Sequence, residues 1–228
     1  MAEVFGKDKS IRDVYGYPSI FTDTFFYHMK KHIFVCLILA CSVVSKVNAQ
    51  NAEIRIKEQF NAYSKFVADK NFEKAIEYTN PGLFKIISKE QLIMILKRTF
   101  NSPDFEFKIG LPTLTDFHPV KTIHDSSYVK FASESILQMK FKEDTGKVAP
   151  KPEDQKQKNA LRKSALANGF GAGNVNFDET TGFFVINSKK VVIAASNKAQ
   201  MDWKFAIIDN ERVKKVLKTF IPSEIIEE

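Results

Sequence analysis

The 228-residue chain has two cysteines, four histidines and one tryptophan, and the scarcity of the first two closes off whole classes of chemistry. Cys36 and Cys41 both fall within Met29 to Ala49, a segment read below as removed from the finished protein. Its loss leaves no thiol, which excludes disulfides, a cysteine nucleophile and thiolate metal sites together. Only His118 and His124 lie beyond that segment, six positions apart across Pro119. A helical zinc pair needs two histidines four apart on one helix face, so no metal is expected, and no cofactor motif is present. The apolar run Ile33 to Val44 has 12 residues, well short of the roughly 20 that cross a bilayer.

That short run has a different meaning in its setting. Lys30 and Lys31 follow an internal methionine, the apolar run follows them, and Val47-Asn48-Ala49 supplies small side chains at the positions a signal peptidase reads. The pattern predicts a secretory signal over 29–49 and an exported protein, periplasmic or secreted, that begins at Gln50. Residues 1–28 precede the signal and read as an over-extended start, Met29 being the true one. Ile38-Leu39-Ala40-Cys41 offers another ending, since it loosely resembles a bacterial lipobox. In that case Cys41 would carry a lipid and the protein would hang on a membrane, marginally if by one acyl chain.

Residues 50–228 number 179, which suits a single domain with a sizeable core. The segment before them holds 6 of the 34 Lys and Arg and 4 of the 27 Asp and Glu, leaving a net charge of +5. Those charges are spread along the chain. Nucleic-acid binding needs them clustered on one face or interleaved with aromatics, so no nucleic-acid partner is expected.

Periodicity then orders the elements. Ile56, Phe60, Tyr63, Phe66 and Val67 recur at three- and four-residue spacing and predict a first helix over Asn51 to Asp69, broken by Lys70-Asn71. Phe72, Ala75, Ile76 and Tyr78 suggest a short second helix that stops at Asn80-Pro81-Gly82. Ser88-Lys89-Glu90-Gln91 reads as a capping box opening a third helix, which ends near Asn101-Ser102-Pro103. After Pro103 the period falls to two: Phe105, Phe107, Ile109 and Leu111 alternate with polar residues and glycine. A second strand follows near Leu114 to Val120 and a long third over Ser127 to Phe141. Ser133 and Ser135 interrupt the apolar side of that third strand, which predicts a bend or bulge.

Residues 143–174 differ in kind, with 6 basic and 4 acidic side chains and few large apolar ones. They read as an excursion from the sheet, with a helical turn or two from Glu153 to Ala167. Gly169-Phe170-Gly171-Ala172-Gly173 is not a dinucleotide loop, because it lacks the G-x-G-x-x-G spacing and leaves a helix instead of entering one. Asp178 to Gly182 predicts a hairpin turn between Val175-Asn176-Phe177 and Phe183 to Asn187. Lys190 to Ser196 and Met201 to Asp209 form another hairpin across 197–200. Asp209 or Asn210 then caps a final helix closed by Pro222.

Three helices followed by antiparallel strands ending in Trp203-Lys204-Phe205 resemble the nuclear transport factor 2-like superfamily, which houses ketosteroid isomerases and polyketide cyclases. The likeness covers about Asn51 to Asp209 and rests on Phe66-Val67, Asn71-Phe72 and Ala75 with Met201-Asp202-Trp203-Lys204-Phe205. Asn174-Val175-Asn176-Phe177-Asp178 and Phe183-Phe184-Val185-Ile186 add a similarity to uncharacterised exported bacterial members of that superfamily. What this implies is an α+β fold: three N-terminal helices on a curved antiparallel sheet, a cone, with one inserted helical excursion over 143–174 and a short C-terminal helix. In such a cone the concave face and the first helix enclose a pocket. Tyr63, Trp203 and His118 are the candidates for its lining, against the simpler reading that aromatics at these positions are core.

Acid-base catalysis in a cone needs a carboxylate or histidine held in the apolar cavity. Glu106, Glu134 and Asp202 alternate away from the apolar faces, and His124-Asp125 lies by a turn. The expectation is therefore a non-enzymatic exported module without catalytic residues, binding a small apolar ligand or an envelope protein. A cofactor-independent isomerase, dehydratase or cyclase is the alternative. A homodimer through the sheet face is a further option, and an exposed apolar patch would point to it.

Overall fold

Helix α1 covers residues 51–68 in the computed structural model, which describes residues 51–142, 152–197 and 202–227. The start over 1–28, the signal over 29–49, Cys41, the first part of the excursion at 143–151 and the turn residues 198–200 lie outside the described residues. Ile56 and Phe60 form the buried stripe of α1. The helix stops where two backbone bonds reverse the chain: the Asn71 N–H donates to the Phe66 carbonyl at 2.8 Å and the Lys70 N–H to Val67 at 3.1 Å. This Schellman geometry needs a left-handed residue between them, and Lys70 takes it at φ 57°.

Asn71 also caps α2 (Phe72–Ala75), which tightens into a 3-10 turn over Ile76–Tyr78. Asn80 does not simply end this helix. Its side chain accepts from the Gly82 N–H and opens a further 3-10 helix, Pro81–Lys85. Helix α3 (Lys89–Phe100) starts with the expected reciprocal capping box between Ser88 and Gln91. Phe100 anchors its far end, 5.6 Å from the Phe72 ring and 5.5 Å from the Phe107 ring.

The sheet has two long central strands, β4 (Ser126–Phe141) and β6 (Phe183–Asn197), paired antiparallel. Along the outer side of β4 run β1 (Phe105–Ile109), β2 (Thr113–Thr115) and β3 (Lys121–Ile123). Along the outer side of β6 run β5 (Val175–Asp178) and β7 (Lys204–Ile208). All pairings within this seven-stranded sheet are antiparallel. Between β4 and β5 stands α4 (Pro152–Phe170), much longer than the turn or two expected. Two short helices, α5 (Glu211–Leu217) and α6 (Ser223–Glu227), close the chain.

The register places the expected irregularity on the neighbouring strand. β4 and β6 pair without a break from Ser126↔Asn197 to Met139↔Phe184, so neither Ser133 nor Ser135 makes a bulge. Ile109 faces Leu137 and Thr113 faces Glu134, so Gly110, Leu111 and Pro112 stand opposite only Ser135 and Ile136. One extra residue on an edge strand is cheap, because the backbone it unpairs can reach water. The consequence is that Leu111 comes out to solvent, 62% exposed, near Ile136, which is 48% exposed on the same side of β4 as Glu134.

Each face of the sheet is covered differently. On the first face Val129, Phe131, Val192, Ala194 and Phe205 pack under Ile56 and Phe60 of α1. Further along that face Phe184, Ile186 and Val175 pack with Leu166 and Phe170 of α4. On the second face Tyr128, Ile193 and Ala206 pack under Leu217 of α5, Ile225 and Ile226 of α6, and Ile221 between those helices. Burying each such side chain contributes about 2 kcal/mol, so these clusters hold the fold. Ion pairs from Glu227 to Lys214 and Lys218 tie α6 to the α5 region and lower the Glu227 pKa to about 2. The described residues belong to one compact unit.

Candidate functional site

Tyr63 and Trp203 meet in one apolar cluster. Trp203 is 5% exposed, and its backbone N–H donates to Gln59 Oε1 on α1 at 2.7 Å. Tyr63 lies 5.4 Å from the Phe60 ring and 6.2 Å from the Phe205 ring. Its hydroxyl finds no hydrogen bond among the described residues, and burial pushes its pKa up to about 12. His118 sits elsewhere, on the edge segment between β2 and β3, where its backbone N–H donates to the Lys130 carbonyl at 2.8 Å. Beside it Phe117 stacks on Phe131 at 4.9 Å. The space between α1 and the sheet is filled by rings, Phe60 meeting both Phe131 and Phe205 edge-on at 5.3 and 4.9 Å.

An open groove of about 500 Å³ lies instead on the second face, between Leu111 at the edge and Asn174 just before β5. The period-two register explains its lining: Glu134 faces Lys189 and Ile136 faces Asn187 across the β4–β6 pair. Thr113 and Leu111 border it where the edge strand swings away. At one end the Lys189 ammonium bonds Glu134 at 2.9 Å and Asp116 at 3.1 Å. Asp116 reaches it from the loop after β2, where its φ is 52°.

Those two carboxylates hold the Lys189 pKa above the usual lysine range, Glu134 being the larger cause. Lys189 therefore stays charged at neutral pH and is no candidate for a neutral base or an imine-forming amine. Glu134 is 47% exposed and already paired, unlike the desolvated acid that proton abstraction needs. With two acids to one ammonium, this end of the groove carries a net −1. Its middle offers the amides of Asn174 and Asn187 and the aliphatic chains of Leu111 and Ile136. Such a mixed, open lining suits an extended polypeptide better than an enclosed apolar molecule.

None of Tyr63, Trp203 or His118 lines this groove. Sequence reasoning placed Glu134 on an outward position but could not pair it with Lys189, 55 residues later. One signal was present: Ile136 stands between Glu134 and Gln138 on the polar stretch of its side of β4. Among the described residues no three His, Cys, Asp or Glu side chains are grouped to hold a metal ion, and no helix is long and apolar enough to cross a membrane. No protein-family model, curated protein or solved structure matches the chain.

Proposed function

We propose that this chain is an exported, non-enzymatic binding module on a cone of the nuclear transport factor 2-like kind, and that it docks a segment of another protein on its open sheet face. The carrying observation is the groove itself: about 500 Å³, uncovered, with Leu111 and Ile136 exposed beside paired charges. Exposed aliphatics flanked by oriented polar groups are what a protein partner uses. The net −1 end selects a partner segment carrying a basic residue beyond an aliphatic one.

A small apolar ligand fits less well, because the rings of Phe60, Phe131, Phe205 and Trp203 already fill the space a cone would offer it. A homodimer through this face also fits less well, since Glu134 and Lys189 sit among its apolar atoms and a permanent dimer wants a drier surface. The acid-base alternative would need a carboxylate kept out of water, and both acids at the groove are spent on Lys189.

Mass spectrometry on the protein made by cells that process its leader tests this reading. A denatured mass starting at Gln50, with a native complex that includes a second, different polypeptide, is the expected result. A mass starting at acylated Cys41 moves the protein to a membrane. A native mass raised by a small molecule overturns the choice of a protein partner.

A further inference from the structure

A second cleft of about 380 Å³ opens on the same sheet face at its other end, where β4 begins and β6 stops. Its floor holds two polar side chains that are more than nine-tenths buried. Tyr128, 9% exposed, packs in the cluster under α5 and α6. Its hydroxyl has no hydrogen bond among the described residues, and the residue's remaining surface lines the cleft. Asn80, 8% exposed, spends its Oδ1 on the Gly82 N–H at 2.9 Å, and its Nδ2 has no partner among the described residues. Neither donor atom is sealed from solvent, so both are open to a ligand that enters the cleft.

The charges around this pair select what arrives. Lys204 and Asp202 bond each other at 2.9 Å and cancel. Lys85 lines the same cleft, exposed and with no ion-pair partner among the described residues. One uncompensated cation and two neutral donors suit a singly charged oxyanion, whereas a dianion would face the Asp202 carboxylate with too little positive charge. Pro81, Ala195 and Phe220 give the cleft an apolar stretch, beside the polar Ser126, Ser196 and Asn197. We infer that this cleft, separate from the groove proposed to dock protein, binds a small carboxylate with an apolar body. Its carboxylate accepts from the Tyr128 hydroxyl and the Asn80 amide and pairs with Lys85.

Benzoate, benzyl alcohol and phenyl phosphate, titrated separately into the ¹⁵N-labelled protein, test the assignment. Benzoate is expected to give saturable shifts at the Gly82, Ser126 and Asn197 amides, with phenyl phosphate weaker and benzyl alcohol inert. Tyr128→Phe keeps the ring in its cluster and removes the donor, and should weaken benzoate about tenfold, the usual loss for one hydrogen bond to a charged group. Lys85→Gln, at an exposed position that leaves the fold alone, should weaken it as well. Absence of saturable shifts with benzoate would overturn the inference. So would tighter binding of phenyl phosphate, or benzoate binding indifferent to both substitutions.

Discussion

Gly82→Ala probes the contact that docks the end of α5 onto the Pro81–Lys85 turn. A Cβ built on Gly82 would lie 2.2 Å from Phe220 Cδ2, 2.4 Å from Cγ and 2.8 Å from Cβ. A change of χ1 at Phe220 relieves the first two. It leaves the third, because Cβ is fixed to the backbone. Residues around Phe220 must therefore shift, and overpacking of this sort costs about 1–3 kcal/mol. Gly82 does not have a positive φ, so alanine meets no backbone strain there, and the stiffer unfolded chain returns about 0.4–1 kcal/mol. The net expectation is a loss of about 1–2 kcal/mol, which for a domain of this size lowers Tm by about 4 °C. Urea and thermal unfolding followed by circular dichroism measure it. In a Phe220→Ala background two of the three clashes vanish, so the cost should shrink by about 1 kcal/mol in a double-mutant cycle. A Gly82→Ala protein as stable as the parent would refute this packing, and with it the apolar wall of the smaller cleft.

Two other substitutions test separate parts of the account. Tyr63→Phe should abolish a tyrosinate absorbance step near pH 12, burial having raised this phenol from an ordinary 10.0. Because the folded pKa is the higher one, the parent should keep its Tyr63 contribution below pH 10 and lose it progressively between about 10 and 12, as the unfolded phenol ionises first. The variant should escape that loss in alkaline urea titrations, and a parent whose tyrosines all titrate near 10 would place Tyr63 in water. Lys70→Gly should raise stability by about 1 kcal/mol in urea unfolding, since Lys70 holds a left-handed φ of 57° that glycine adopts freely. A drop would mean that the Lys70 Nζ bond to the Phe100 carbonyl, 2.9 Å, outweighs the strain.

Local chemistry was legible in the sequence wherever it stayed local. The stop at Lys70-Asn71, the Ser88 and Gln91 capping box and the Asp178 turn need only neighbours in the chain, and each is present. Two strands were expected over Phe183 to Asn187 and Lys190 to Ser196, but β6 runs through both. Asn187-Ser188-Lys189-Lys190 looks like a break until β4 supplies a partner for every residue. Helix α4 was underread because its 19 residues are polar on nearly every side, with Leu166 and Phe170 as its anchors in the core and Leu161 67% exposed. Helix α6 has five residues, too few to show a period, and is held by Ile225 and Ile226, each 2% exposed. The groove was out of reach for a stronger reason. It joins Asp116, Glu134 and Lys189 from three places in the chain through a register that no single segment encodes.

On the proposed function, Leu111 and Ile136 face a protein partner. A photoreactive phenylalanine analogue placed singly at Leu111, at Ile136 and, outside the groove, at Leu161 of α4 tests it in the cells that make the chain. One discrete cross-linked polypeptide is expected from the first two positions and none from Leu161. Identical products from all three positions, or cross-links only within the chain itself, would contradict it.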